Sequence, residues 1–161
     1  MLRRLAAVIV CLMVIVLAFT SCKKEEPLDV WDEEVSASAG YRRTVLYYVT
    51  EDGFTVPIMK LLPWEEGIGK AAVSQLIGIE ANNSSASRMG LRTVLPEEVE
   101  LSLKIDEDAV ATLDIANLPE LESAFQEQSM ITALACTLLE FPTVSSVRFT
   151  FDGEKLNKLP H

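Results

Sequence analysis

The sequence predicts a two-layer α+β domain, in which two main helices pack on one face of a small mixed sheet in the order ββαββαβ. Three observations support this prediction. Five short runs are rich in Val, Leu, Ile, Tyr and Phe, as strands are, and two longer stretches repeat apolar residues every three or four positions, as amphipathic helices do. Turn-forming Gly, Pro and Asp residues separate these runs.

The first two strands are predicted to form a hairpin over residues 42–50 and 54–62. Asp52 and Gly53 favour a tight turn between them, because glycine adopts a positive φ without steric cost. Pro57 cannot donate a backbone hydrogen bond, so the second strand is expected at a sheet edge. The first strand has apolar residues on both faces: Val45, Tyr47 and Val49 on one, Leu46 and Tyr48 on the other. We therefore expect this strand to be covered on both sides.

The first helix is predicted to start after Pro63, at Trp64, and to end at Gly78. Its apolar residues recur at helical spacing: Ile68, Ala72, Val73, Leu76 and Ile77. Residues 80–88 show no apolar period and are predicted to be a polar loop.

The second half of the chain continues the pattern with a hairpin, a helical region and a last strand. The inward residues of the hairpin are predicted from alternation: Val99, Leu101, Leu103 and Ile105, then Ala111, Leu113 and Ile115. A short helix is predicted over Leu118–Gln126, and a longer one follows from its cap at Ser129 to Pro142. Cys136 lies inside the longer helix and is interpreted as a small core residue. The last strand spans 144–151.

The N-terminus is similar to a bacterial lipoprotein signal. Arg3 and Arg4 precede an unbroken apolar run over 5–19, and small residues lead to Cys22. The resemblance implies cleavage before Cys22 and a diacylglycerol on its sulfur, so residues 1–21 are the signal peptide. The alternative is an uncleaved anchor, but the run is shorter than the roughly 20 residues that span a bilayer. Either way, the chain is expected outside the cytoplasm, tethered to the cell membrane.

Residues 22–41 are predicted to be a flexible tether, and 42–161 a single domain. Trp31 is unusual in such a tether. We expect it to fold back onto its own domain, and the alternative is a contact with a partner.

Charge and residue counts exclude several classes of function. The formal charge of −10 becomes −12 when Arg3 and Arg4 are removed, so nucleic acid is not an expected partner. His161 is the only histidine and is terminal, which excludes a His-based triad or zinc site on these residues. With Cys22 acylated and Cys11 in the signal, Cys136 has no disulfide partner. No catalytic residue, metal site or cofactor is predicted, and no binding residue is identified.

An ordered set of short motifs resembles the GerMN domain, the sporulation and spore germination module of bacterial envelope lipoproteins. The similarity covers about Thr44 to Leu159 and rests on these segments: Thr44–Val49 with Asp52-Gly53, Gly90-Leu91 with Leu95-Pro96, Val110–Asp114, Thr137–Val144, and Val147–Phe149 with Asp152-Gly153. Ala109 departs from the family, which commonly has glycine there. The resemblance implies a compact fold like the ring-building modules of envelope secretion complexes, and a non-enzymatic role.

The sequence is therefore consistent with three candidate functions. The first is a lipid-anchored protein-interaction module with an envelope protein as partner, using the sheet edge at Pro57 and exposed helix faces, with a homo-oligomer as a further form. The second is a solute- or cell-wall-glycan-binding lipoprotein with a pocket near Glu80–Arg88 and Trp64. The third is a hydrolase using carboxylates at Asp106, Asp108 or Asp114, although the 106–108 cluster is more typical of a solvated turn.

Overall fold

The computed structural model describes residues 40–63 and 67–155. Several sequence predictions fall outside these residues: the signal peptide, the lipidation site at Cys22, the tether up to residue 39 with Trp31, the helix start at Trp64, and His161. Within the described part of the chain, no helix is long and apolar enough to cross a membrane.

Five strands and three helices make up the described domain, and they confirm the α+β class. In chain order they are β1 (Tyr41–Val49), β2 (Thr55–Pro63), α1 (Ile68–Ser74), α2 (Glu80–Ser87), β3 (Glu100–Ile105), β4 (Val110–Ala116), α3 (Ala124–Leu139) and β5 (Ser146–Phe151).

The strands form two sheets, whereas the sequence analysis expected one. β1 and β2 pair as an antiparallel hairpin, while β4 lies between antiparallel β3 and parallel β5. The parallel pair needs a crossover connection, and α3 supplies it. At the edge of β1 that faces away from β2, the backbone N–H of Tyr47 donates to the Thr137 hydroxyl of α3 at 2.9 Å, and Val49 exchanges two backbone hydrogen bonds with Arg92. A helix side chain therefore occupies a position that a neighbouring strand would take in a single sheet.

The core lies where α3 meets both sheets. Buried α3 residues recur at spacings of three and four, as expected for a helix that packs along one face: Glu127, Met130, Ala133, Leu134, Thr137 and Leu138. β4 contributes the predicted inward set, which is fully buried: Ala111, Leu113 and Ile115. In β3, Leu101 is buried as predicted, but Ile105, predicted to face inward, is 44% exposed at the end of the strand. From the hairpin, Leu46 and Tyr48 are also fully buried.

The polar stretch predicted as a loop over Glu80–Arg88 is instead helix α2. This prediction was wrong because tertiary hydrogen bonds stabilise the segment without an apolar stripe. The buried side-chain amide of Asn82 donates to the backbone carbonyls of Ser74 and Ile77, at 3.0 and 2.9 Å. These carbonyls lie at and just beyond the end of α1, where helices leave acceptors unpaired.

One helix replaces the two predicted between Leu118 and Pro142. α3 starts after Ser123, whose side chain accepts a hydrogen bond from the Gln126 amide at 3.3 Å. Ser129 was expected to be the cap, but its hydroxyl donates to the Gly53 carbonyl at 3.2 Å. It therefore links α3 to the turn between β1 and β2.

The β3–β4 turn contains an alanine in a conformation that favours glycine. Ala109 has φ +60°, where the Cβ of an L-residue crowds the following carbonyl. Asp106 holds the turn, because its Oδ1 accepts from the amides of Asp108 and Val110 at 3.1 and 2.9 Å. Ala109 therefore strains this turn but does not prevent its closure.

We predict that Ala109→Gly raises the free energy of unfolding by about 1 kcal/mol, because glycine has no Cβ penalty at positive φ. Chemical denaturation of the two proteins measures the difference. Ala116→Gly, at an ordinary strand position in β4, is the control and should destabilise the protein. A loss of stability in both variants would show that Ala109 is not strained.

Candidate interaction surface

The outer face of the β1–β2 hairpin is an exposed apolar surface. Residues opposite each other in an antiparallel pair share a face, and five pairs lie on this side of the hairpin. Val49 with Thr55 is at the turn end, where Val49 is buried. The other four pairs are Tyr41 with Pro63, Arg43 with Leu61, Val45 with Met59, and Tyr47 with Pro57. Tyr41, Met59 and Leu61 remain 56, 53 and 46% exposed. We call these eight residues the outer face. The alternating residues of the same strands enter the core.

Both strands of the hairpin thus have apolar residues on their two faces. Other described residues cover the inner face and leave most of the outer face exposed. The expectation that β1 is covered on both sides is met in part, since Val45 and Tyr47 are half-buried. β2 has β1 as its strand neighbour and leaves its other edge without a strand partner in the described structure. Pro57 is exposed there, which confirms the predicted edge position.

Contacts with the helices hold the hairpin in place. The Tyr47 hydroxyl donates to Glu140 Oε1 at 2.8 Å, next to the bond between the Tyr47 amide and Thr137. On the inner side, the Lys60 ammonium lies 5.1 Å from the ring centroid of Tyr48, and it donates to the Ser85 hydroxyl at 3.0 Å. These contacts fix the orientation in which the outer face is presented.

The Tyr47 phenol has its pKa raised, first by the hydrogen bond to the Glu140 carboxylate and then by burial and the negative charge of that group. The neutral phenol is the form that donates this bond. The contribution of the bond to stability is therefore complete at neutral pH and is lost as the pH rises through the raised pKa.

The hairpin also differs in charge from the rest of the protein. Arg42, Arg43 and Lys60 are the charged residues of β1 and β2, and neither strand has an acidic residue. The whole chain has 24 acidic and 14 basic residues. Arg43 is exposed on the outer face, so this surface combines apolar side chains with positive charge.

A groove of about 250 Å³ lies at the turn end of the hairpin, beside the start of α3. Six of its lining residues are Val49, Gly53, Arg92, Phe125, Ser129 and Met130. The Phe125 ring lies directly over Gly53, where an added Cβ would come within 1.8 Å of a ring carbon and displace the ring, and the φ of +80° at Gly53 also favours glycine. Phe125 is still 55% exposed, and the neighbouring Phe54, which does not line the groove, is 71% exposed.

This groove differs from the pocket expected near Glu80–Arg88 and Trp64. No residue of α2 lines it, although Thr93 in its wall donates to Asn83 Oδ1 at 2.6 Å. Trp64 is outside the described residues. The sequence analysis missed Phe125, because nothing in its own helix indicates that Gly53 will lie beneath its ring.

The candidate catalytic carboxylates do not meet. Asp106 and Asp108 are at the β3–β4 turn, whereas Asp114 is near the other end of β4, where its Oδ1 accepts from the Thr150 hydroxyl and the Gly153 amide at 2.5 and 2.9 Å. Asp106 and Asp114 thus stabilise local backbone structure. The described residues contain no cluster of three or more His, Cys, Asp or Glu side chains placed to hold a metal. Cys136 is a half-buried free thiol in α3.

The sequence of the domain is similar to that of a known protein family. The model of the Germane family, described as sporulation and spore germination, matches residues 45–157. The chain is 26% identical over 115 residues to the spore germination protein GerM of Bacillus subtilis (strain 168). That match covers 71% of this chain but only 31% of the relative, so the chain spans less than a third of the length of GerM.

Two solved structures have the same fold. The tandem GerMN domains of the Bacillus subtilis sporulation protein GerM are similar with a TM-score of 0.66 and 25% identity, over 74% of this chain and 42% of that one. The first GerMN domain of the same protein gives a TM-score of 0.64 at 25% identity, over 74% of this chain and 89% of that one. The described domain therefore corresponds in extent to one GerMN domain.

Proposed function

We infer that this chain, which belongs to the Germane family of sporulation and spore germination proteins, is a membrane-anchored protein-interaction module. It uses the outer face to bind a protein of the cell envelope and acts without catalysis. The anchor is a lipid on Cys22, which the signal-like sequence before it indicates. In this proposal the domain lies outside the cytoplasm, on a tether of about 20 residues.

The exposed outer face is the main observation that supports a protein-binding role. Protein interfaces are enriched in aromatic residues, Met and Arg, and depleted in Glu, Asp and Lys at their centre. Tyr41, Arg43 and Met59 fit this composition, and no acidic residue interrupts the two strands. A contiguous apolar surface is costly in water, and on a soluble domain such a surface commonly marks a binding site.

Membership of the family supports the biological setting. The curated relative is a spore germination protein, and the solved relative has two GerMN domains in tandem. Since this chain spans 31% of that relative, a role in sporulation or germination is proposed here for the one domain that the two share. A second copy of the chain is an alternative partner for the same face.

In-cell photocrosslinking tests the proposed surface. A photoreactive amino acid in place of Leu61 is expected to capture an envelope protein, because a side chain at the centre of an interface lies within reach of its partner. Ile105 at the end of β3 is the matched control, since the two side chains are 46 and 44% exposed. Equal capture from both positions, or none from position 61, would contradict the proposal.

Glycan binding in the groove is the second candidate, and the exposed ring of Phe125 is the observation that favours it. An aromatic ring can pack against the apolar face of a sugar, while nearby polar groups bind the hydroxyls. Glu51, Glu122 and Gln126 line the same groove and supply acceptors and donors. Its volume is just below the roughly 300 Å³ at which small-molecule sites begin.

For this second candidate we predict that cell-wall fragments raise the melting temperature of the protein, and that Phe125→Ala removes the shift, because the ring supplies the contact area. Thermal denaturation with and without the fragments measures both. Phe54→Ala is the matched control, since Phe54 is an exposed aromatic residue outside the groove. No shift in the wild-type protein, or an equal loss in both variants, would exclude the groove as a glycan site.

A further inference from the structure

We propose that the first half of β1 binds an extended segment of the envelope protein partner, which adds as an antiparallel strand at the edge facing away from β2. The segment pairs with the backbone of Arg43 and Val45, and we call this part of β1 the open edge. That the segment belongs to an envelope protein rests on the proposed function. The capacity of the open edge to pair with a strand rests on its own geometry.

Backbone groups of every second residue of β1 point away from β2. The amides of Tyr47 and Val49 do so, because they donate to α3 and to a loop carbonyl. Amides alternate in direction along a strand, so those of Arg43 and Val45 point the same way. Neither of these two residues makes a backbone hydrogen bond across this edge within the described structure. Unpaired donors and acceptors in this alternating arrangement match the backbone of another extended chain.

The same edge of β1 already has an antiparallel partner further along. Arg92 exchanges two backbone hydrogen bonds with Val49, at 2.7 and 3.2 Å, in an antiparallel bridge. The Thr137 hydroxyl takes the next position, at Tyr47, and the open edge follows it. A segment that adds in the antiparallel direction continues the direction of the chain at Arg92. Antiparallel pairing is also slightly more stable per residue than parallel pairing.

The outer edge of β2 is a poorer template for a strand. Residues opposite each other in an antiparallel pair either both point towards their partner strand or both point away from it. Pro57 and Pro63 lie opposite Tyr47 and Tyr41, so they take positions that point away from β1. Proline has no amide hydrogen, and prolines at a sheet edge limit pairing with another chain. Of the two edges of the hairpin, the open edge of β1 is therefore better suited to accept a strand.

A groove of about 130 Å³ lies beside the open edge, between β1 and the end of α3. Its lining residues are Arg42, Arg43, Thr44, Val45, Glu140 and Phe141. The Thr44 hydroxyl is buried and has no hydrogen-bond partner among the described residues, which is unfavourable for a buried polar group. On an added strand, the residue opposite Thr44 points to the same side of the sheet. A Ser or Thr at that position can pair with the Thr44 hydroxyl.

The charges around the groove favour an acidic residue in the segment. Arg43 is exposed, and the residue opposite it on an added strand shares its face. The Arg42 guanidinium, 5.6 Å from the ring centroid of Phe141, adds positive charge to the lining. Glu140 is the acidic residue of the lining, and its carboxylate accepts from the Tyr47 hydroxyl.

These contacts define a sequence pattern for the segment. In the antiparallel direction, its residues lie opposite Val45, Thr44 and Arg43 in that order. The pattern from N- to C-terminus is therefore an apolar residue, then Ser or Thr, then Asp or Glu.

Amide hydrogen exchange at single-residue resolution tests the pairing in the full chain, purified from membranes and reconstituted into lipid nanodiscs. The probe is a short peptide with blocked ends and Val-Thr-Glu at its centre. At about ten times its Kd, it should slow exchange of the Arg43 and Val45 amides about tenfold, because exchange requires the unoccupied edge. The Tyr47 amide, which is already bonded to Thr137, should be unaffected.

Methylation of the peptide backbone gives a matched control. Methyl groups on the Val and Glu amides remove the two donors that face β1, and should raise the Kd about tenfold or more. A methyl group on the Thr amide, which points away from β1, should change the Kd by less than about twofold. Arg43→Glu should weaken binding, and a probe with Lys in place of its Glu should restore it.

Two kinds of result would overturn strand addition. The first is unchanged exchange at millimolar peptide, or equal weakening by methylation at all three amides. The second is protection of Arg43 and Val45 before peptide is added. A second copy occupies the open edge if this protection falls as the number of chains per disc is lowered, and the chain's own residues occupy it otherwise.

Competition in isolated membranes tests the occupant. The Val-Thr-Glu peptide should reduce the crosslink from position 61 to an envelope protein, whereas the peptide methylated at Val and Glu should not. A crosslink that ignores both peptides overturns the assignment of the occupant and leaves the proposed function standing. If the open edge binds the peptide but position 61 captures no protein, the proposed function fails and strand addition remains.

Discussion

The hydrogen bond from the Tyr47 amide to the Thr137 hydroxyl joins the β1–β2 hairpin to α3 at the edge of β1 that faces away from β2. A strand edge inside a protein leaves backbone donors that must be satisfied, and leaving one unpaired costs about 1–3 kcal/mol. Thr137 is fully buried in α3 and accepts this bond at 2.9 Å. The hairpin is therefore joined to a helix at this point, and its strands do not extend the three-stranded sheet. Its inner residues complete the core, and its other face is directed outward.

This arrangement explains why an acidic protein has an apolar, basic surface on one side. The inner residues of β1 and β2 that enter the core, Leu46, Tyr48 and Leu62, are buried, and burial in the core favours apolar side chains. The outer residues have no such requirement within the described domain, yet Tyr41, Met59 and Leu61 are apolar and exposed. The binding role proposed for the outer face would account for their presence. The contacts of Tyr47 and Lys60 with the helices keep that face in one orientation, which reduces the entropic cost of binding.

Much of the fold could be predicted from the sequence, because alternation along a strand directly reflects which face is buried. The inward residues of β4 and the edge position of Pro57 follow from local patterns of this kind. Helix α2 could not be predicted in this way, since its stability depends on Asn82 reaching the end of α1. The division into two sheets could not be predicted either, because the edge of β1 meets the Thr137 hydroxyl and the backbone of Arg92, both distant in sequence, only in the folded protein. The groove could not be predicted for a similar reason, because Gly53 and Phe125 are distant in sequence and meet only in the folded protein.

Native-state hydrogen exchange in Thr137→Val measures the central constraint most directly. Valine keeps the shape of threonine but cannot accept a hydrogen bond, so the Tyr47 amide loses its partner. The account predicts that exchange accelerates at Tyr47 and along β1 and β2, while amides of β3, β4 and β5 keep their protection. Unchanged exchange in the hairpin, or equal acceleration in all five strands, would contradict the claim that this bond holds the hairpin on α3.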